Sequence, residues 1–220
     1  MWGDGPGGQL DSLFGDRKPA RPARTVPIGT HTLEVQFSPT KTWDQSTNAL
    51  IASHIAKTTT SLDFALFVFS DQGIVDAIAP LQPKTTIRGL IESDFIFRPY
   101  SEALDMLGLN LGGDCKDGNR PWSTPLTTIG VADLPPGDLL HHKFAILDRR
   151  KVIIGSHNWT TAANHTNDES LLVIDNPIVA KHYQREFDRL YPSAKLGAPD
   201  YIKAKAQNAP ACPVKKTRKR

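Results

Sequence analysis

The sequence predicts an α/β domain in which a mixed, largely buried β-sheet carries helices on both faces. Two observations point there. Strand-like and helix-like segments alternate along the chain, and one strand, Ser61 to Phe69, is apolar almost without a break, as in a sheet covered on both sides. A third excludes a membrane fold of the helical kind: nothing in the 220 residues approaches the roughly 18–20 apolar positions of a spanning helix.

Each element has its own signal. Thr32-Leu33-Glu34-Val35-Gln36-Phe37 alternates as an opening strand and stops at Ser38-Pro39. Ala49, Ile51, Ala52, Ile55 and Ala56 recur at helical spacing, so 45–57 reads as an amphipathic helix capped at Ser46 or Thr47. After the strand 61–69, residues 72–79 form a short helix that Pro80 ends, and 85–91 form another strand. The Gly- and Pro-rich stretch 108–140, with Trp122, reads as a loop bordering the active site. Its Asp114–Arg120 segment lacks the register of an EF-hand, so a calcium loop is rejected. His141 to Leu147 and Val152 to Ile154 make a hairpin around Arg149-Arg150-Lys151, and 169–174 is a further strand. Asn176-Pro177 then opens a helix with Pro at its first position and a stripe of Val179, Tyr183, Phe187 and Leu190.

Length allows one sizeable core-bearing domain, placed at 31–192. Residues 1–30 read as a flexible segment or linker, and 193–220 as a basic tail. Cys115 and Cys212 make neither a disulfide framework nor a zinc site, and one bridge between them stays open. With no apolar secretory signal visible at the N-terminus, the expected location is the cytoplasm, and export stays open as the alternative. The net charge of +3 comes from the end of the chain: Lys215–Arg220 carries five of the 26 basic residues, leaving 21 against 23 acidic ones. Such a tail can hold nucleic acid through phosphate contacts, rest on an anionic membrane surface, or merely solubilise.

The chemistry lies in 141–158. His141, Lys143, Asp148, Gly155, Ser156 and Asn158 stand as H-x-K-x4-D-x6-G-S-x-N. Six specified residues at fixed offsets match by chance at roughly 10⁻⁸ per start position. In a strand, positions i and i+2 share a face, so His141 and Lys143 project together while His142, Phe144 and Ile146 face the other layer. Gly155-Ser156 returns Ser156 and Asn158 to the same end. An imidazole, an ammonium, a hydroxyl and an amide then serve one phosphodiester, as nucleophile and as donors to the oxygens where charge develops. Asp148 alternates onto the opposite face and reads as a structural ion-pair or turn residue. His142 and His157 read as packing or rim residues and His165 as a rim group.

This pattern resembles the phospholipase D superfamily, and Trp159-Thr160, Asn167 and Glu169 further resemble its bacterial single-motif endonucleases. The similarity in motif and element order covers about residues 33–191. It implies a phospholipase D-like fold over 31–192 and a metal-independent, cofactor-free phosphodiesterase that passes through a phosphohistidine on His141. It also implies that Glu169 accepts a hydrogen bond from the other nitrogen of that imidazole, which would set the tautomer. The double displacement needs a second imidazole as general acid and base. The motif occurs once, so the resemblance implies a homodimer with the active site on its two-fold axis, each copy giving one His141 and one Lys143. The other reading is that the chain is half of a double-motif protein. The expected substrate is DNA or RNA, making the chain a nuclease. The rivals are a phospholipase D or phosphatidyl transferase acting on lipids, for which Phe95, Phe97, Trp122 and Trp159 are too scattered to argue, and a non-catalytic nucleic-acid-binding module.

Overall fold

A computed structural model describes residues 15–19, 21–112 and 119–209. Cys115, Cys212 and the basic end Lys215–Arg220 lie outside the described residues. In chain order the elements are β1 (Arg24–Ile28), β2 (His31–Phe37), α1 (Thr47–Ile55), β3 (Ser61–Leu66), α2 (Gln72–Ile78), β4 (Thr86–Ile91), α3 (Ser93–Ile96) and α4 (Ala103–Met106). Then come β5 (Ile129–Val131), β6 (Lys143–Leu147), β7 (Lys151–Gly155), α5 (Thr161–His165), β8 (Ser170–Asp175), α6 (Pro177–Leu190), β9 (Lys195–Leu196) and α7 (Asp200–Gln207).

The strands form one sheet in the order β1-β2-β8-β7-β6-β3-β4-β5-β9. Only β3–β4 and β4–β5 run parallel, each joined by a crossover, so the sheet is mixed as expected. One face buries Leu62, Phe64, Leu66, Ala145, Leu147 and Ile153 against α1 and α2. The other buries Ala65, Phe144, Ile146 and Val152 against Ala180, Phe187 and Leu190 of α6. Burial on both faces explains the unbroken apolar run of β3. No helix among the described residues is long and apolar enough to cross a membrane.

Caps fix the helices where the sequence places them. The Ser46 hydroxyl accepts from the Ala49 amide, Asp71 from Ile74, and Asn176 from Ile178 and Val179. Four segments differ from expectation. The strand from Ser61 stops at Leu66, because the ladder with β6 ends at the pair Leu66–Lys143; Phe69 instead pairs as an isolated bridge with Trp159. Within 1–30, residues 24–28 form β1, an edge strand exposed at every position that leaves no buried alternation to read. Within 193–220, β9 extends the far edge and α7 docks through Ile202 on Leu104 and Leu111. A single buried anchor makes no helical stripe. The long stretch before the motif divides: among its described residues, Trp122 and Leu126 pack on the main core, 129–131 form β5, and residues within 134–140 border His141 and His142.

Candidate active site

The β6–β7 hairpin places the motif at one end of the sheet. Phe144 pairs with Ile154, and Gly155 with Leu171 on β8, so Lys143, Gly155 and Ser170 share that end. His141 precedes β6 and is exposed. The Lys143 ammonium lies across its imidazole, 3.3 Å from Nε2 and 3.4 Å from Nδ1, and donates to the His141 carbonyl at 3.0 Å. Burial lowers the Lys143 pKa, and the nearby Glu169 carboxylate partly opposes that shift.

Gly155 is required by contact. A Cβ there would stand 1.9 Å from the Ser170 carbonyl oxygen. That close approach lets the Ser156 amide donate to Ser170 O at 3.1 Å and the Ser170 amide donate to Ser156 Oγ at 3.0 Å. The next three side chains alternate in environment: Ser156 exposed, His157 buried, Asn158 half-buried. Asn158 Oδ1 is buried and has no hydrogen-bond partner among the described residues.

Within the single copy Glu169 is held by partners other than His141. Its carboxylate makes no hydrogen bond to His141; it accepts from Asn167 Nδ2 at 3.3 Å. Its backbone is pinned between the Ser38 amide and hydroxyl, and the charged group beside the imidazole is Lys143. Glu169 therefore meets the site through the Lys143 charge.

Asp148 lies at the far end of the hairpin. At φ +53° it accepts from the amides of Thr59, Thr60 and Ser61 and from two threonine hydroxyls. Burial raises its pKa, but those bonds outweigh it and hold the carboxyl below its ordinary range. It is a clamp between the hairpin turn and the start of β3. His157 is wholly internal, and burial pushes its imidazole down to about 4. His165 is half-buried and tied to the Thr40 carbonyl and the Asn164 amide, so it braces a loop. His142 faces α6, with Nε2 3.0 Å from Glu186. Hydrogen bonds from Arg189 and His142 hold Glu186 down at about 2. A cavity of about 420 Å³ opens beside the motif, with His141, His142, Lys143, His182, Tyr183 and Glu186 in its wall.

Two residues here carry no motif signal. Phe67, one position past β3, lies with its ring 4.4 Å from the His141 ring. Glu92, at the end of β4, is buried and accepts from the Leu140 amide at 2.5 Å, immediately before His141. Sequence alone gives neither contact, since both arise from strand order. Among the described residues no three His, Cys, Asp or Glu side chains gather as a metal site.

Residues 51–191 match the protein-family model described as "Cardiolipin synthase, PLD-like domain". The chain belongs to the phospholipase D superfamily. It is thereby placed among the phosphodiester hydrolases. The phospholipase D-like chain is 29% identical over 185 residues to the mitochondrial cardiolipin hydrolase of Xenopus laevis, covering 80% of itself and 78% of that protein. It is 40% identical over 134 residues to that of Canis lupus familiaris, covering 60% of itself but 45% of the relative. Against the Xenopus tropicalis protein it is 30% identical over 149 residues and spans 61% of that relative's length. In fold it is similar to Nuc of Salmonella typhimurium (TM-score 0.59, 20% identity, 77% of this chain and 100% of that one). It is also similar to NucT of Helicobacter pylori (TM-score 0.57, 19% identity, 76% and 99%). At that identity the two structures establish the phospholipase D-like fold alone.

Proposed function

We propose that the chain is a metal-independent nuclease in which His141 is the nucleophile and Lys143 the charge that receives the phosphodiester. The observation that carries this is the Lys143 ammonium lying 3.3 Å from His141 Nε2 at an open end of the sheet. A ring nitrogen of His141 forms a bond to phosphorus while the bond to the leaving oxygen breaks. Lys143 balances the charge that gathers on the non-bridging oxygens. Ser156 and Asn158 supply further donors to those oxygens, and Glu169 steadies Lys143.

The leaving oxygen takes its proton from a second imidazole, the His141 of a second copy across a two-fold axis. That imidazole, now neutral, removes a proton from water, which attacks the phosphohistidine and frees His141 with a phosphomonoester product. Asp148 and Gly155 act through the backbone they fix.

Labelled single- and double-stranded DNA and RNA, incubated with the protein and His141→Ala in excess EDTA, test the reading. EDTA-resistant cleavage lost in the variant is expected, together with an acid-labile phosphoryl group on the wild type. Activity should also fall on dilution in step with dimer dissociation. A second reading, hydrolysis of lipid phosphodiesters, is favoured by the relatives that bear the name cardiolipin hydrolase. Cardiolipin vesicles belong in the same assay. Turnover of these with nucleic acid untouched would replace the nuclease reading.

A further inference from the structure

We propose that Phe67 is a positioning residue for the hydrolysis, its aromatic ring holding the His141 imidazole and the Lys143 ammonium in their attacking arrangement. This rests on the assignment of His141 and Lys143 above. Phe67 belongs to no motif. It stands where β3 has ended, yet its amide donates to the His142 carbonyl at 2.8 Å, which carries the β3–β6 ladder one bond further and sets the ring beside the motif.

That ring meets three partners. The His141 imidazole packs edge-on, with centroids 4.4 Å apart and planes 61° to each other. Lys143 Nζ lies 5.0 Å from the ring centroid, within the range in which an aromatic face attracts a cation. On another side Phe95 of α3 packs edge-on at 4.8 Å. Phe95 is itself placed by its amide, which donates a hydrogen bond to the Glu92 carbonyl, and the Glu92 carboxylate accepts from the Leu140 amide next to His141. The end of β4 thus supports Phe67 from behind and the motif from in front.

The arrangement answers a physical need. A lysine stem has many rotamers, and an exposed imidazole turns freely unless a wall restricts it. Nucleophilic attack needs the reacting nitrogen held near one geometry. An aromatic face does this for both groups without competing for their hydrogen bonds, which an acidic side chain would do. An aliphatic side chain of similar size fills the space but offers the ammonium no negative face.

Phe67→Leu and Phe67→Tyr separate positioning from packing. With bis(p-nitrophenyl) phosphate and labelled DNA as probes, Phe67→Leu is expected to lower kcat about tenfold, the loss of one cation–π contact. KM should stay within about twofold and the unfolding midpoint should hold, because Phe67 is only half-buried. Phe67→Tyr should restore most of kcat. Wild-type kcat in Phe67→Leu would overturn the proposal, as would a loss of kcat that merely tracks lost stability. NMR relaxation of the His141 and Lys143 side chains gives an answer that needs no turnover. Both should lose order in Phe67→Leu, and unchanged order would overturn the positioning role even in a protein that cleaves none of these substrates. Absence of cleavage by the wild type would instead count against the assigned reaction.

Discussion

Thr47 Oγ1 of α1 and His157 Nε2 of the motif loop stand 2.6 Å apart, both inside the protein. The Thr47 hydroxyl also lies 3.0 Å from Asn164 Oδ1, an acceptor already engaged by the Asn48 amide. Its one proton therefore goes to Asn164, so it accepts from His157, which must carry its proton on Nε2. From Asn48 the chain of bonds continues to Asp71 at the cap of α2. The residue between Ser156 and Asn158 thus ties the motif loop to the first two helices.

A buried neutral imidazole makes stability depend on pH in one direction. His157 titrates at about 4 in the fold, against about 6.5 in the unfolded chain. The unfolded state therefore takes up the proton first. The contribution is whole above pH ~6.5 and is lost as pH falls toward 4, amounting to roughly 3 kcal/mol at the end. Urea unfolding at pH 7, 5.5 and 4.5 should show this decline in the wild type and a flatter profile in His157→Gln. Parallel profiles would remove His157 as the cause.

Glu92→Ala should damage both folding and turnover. It leaves the buried Leu140 amide without its acceptor, at a cost of about 1–3 kcal/mol, and frees the residue before His141. Glu92→Gln retains one carbonyl oxygen and should recover part of each loss. Chemical denaturation and kcat, measured on the same samples, check the pairing; an unchanged kcat in Glu92→Ala would show that Leu140 is held by other means.

Gly155→Ala brings a methyl against the Ser170 carbonyl, and backbone on both sides must part. Overpacking of this kind costs about 1–3 kcal/mol. Because the displaced strands carry Ser156 and Ser170, activity per folded molecule should drop by more than tenfold. A stable, fully active Gly155→Ala would mean that β7 and β8 can separate without disturbing the site.

Arg88 and Asp63 offer the opposite case, stability without catalysis. The guanidinium makes two 2.7 Å bonds to the buried Asp63 carboxylate and lies 5.0 Å from both the Phe187 and Tyr191 rings. Arg88→Met leaves that buried carboxylate with Gln184 as its side-chain partner among the described residues and should cost about 3–5 kcal/mol. Asp63→Leu combined with Arg88→Met should regain most of it. Activity corrected for the folded fraction is expected to stay near wild type in both, and a deep loss would tie this pair to the chemistry.

By itself the sequence determined what lies along one stretch of chain. The spacing of His141, Lys143, Gly155, Ser156 and Asn158 needed no partner to be read, because strand alternation and a short turn already bring such positions to one end. Apolar periodicity and caps likewise marked α1, β3 and α6, whose buried stripes are continuous. Tertiary structure decided what stands beside the motif. Phe67 and Glu92 reach it because β3 pairs with β6 and β4 pairs with β3 in the sheet, and the Glu169 carboxylate lies beside Asn167 where Ser38 pins its backbone. The strand at 24–28 and the helix at 200–207 were invisible for a related reason: one buries nothing and the other a single isoleucine, so neither leaves a periodic trace. Local pattern records which face of an element is buried; it does not record which distant residue is packed against it.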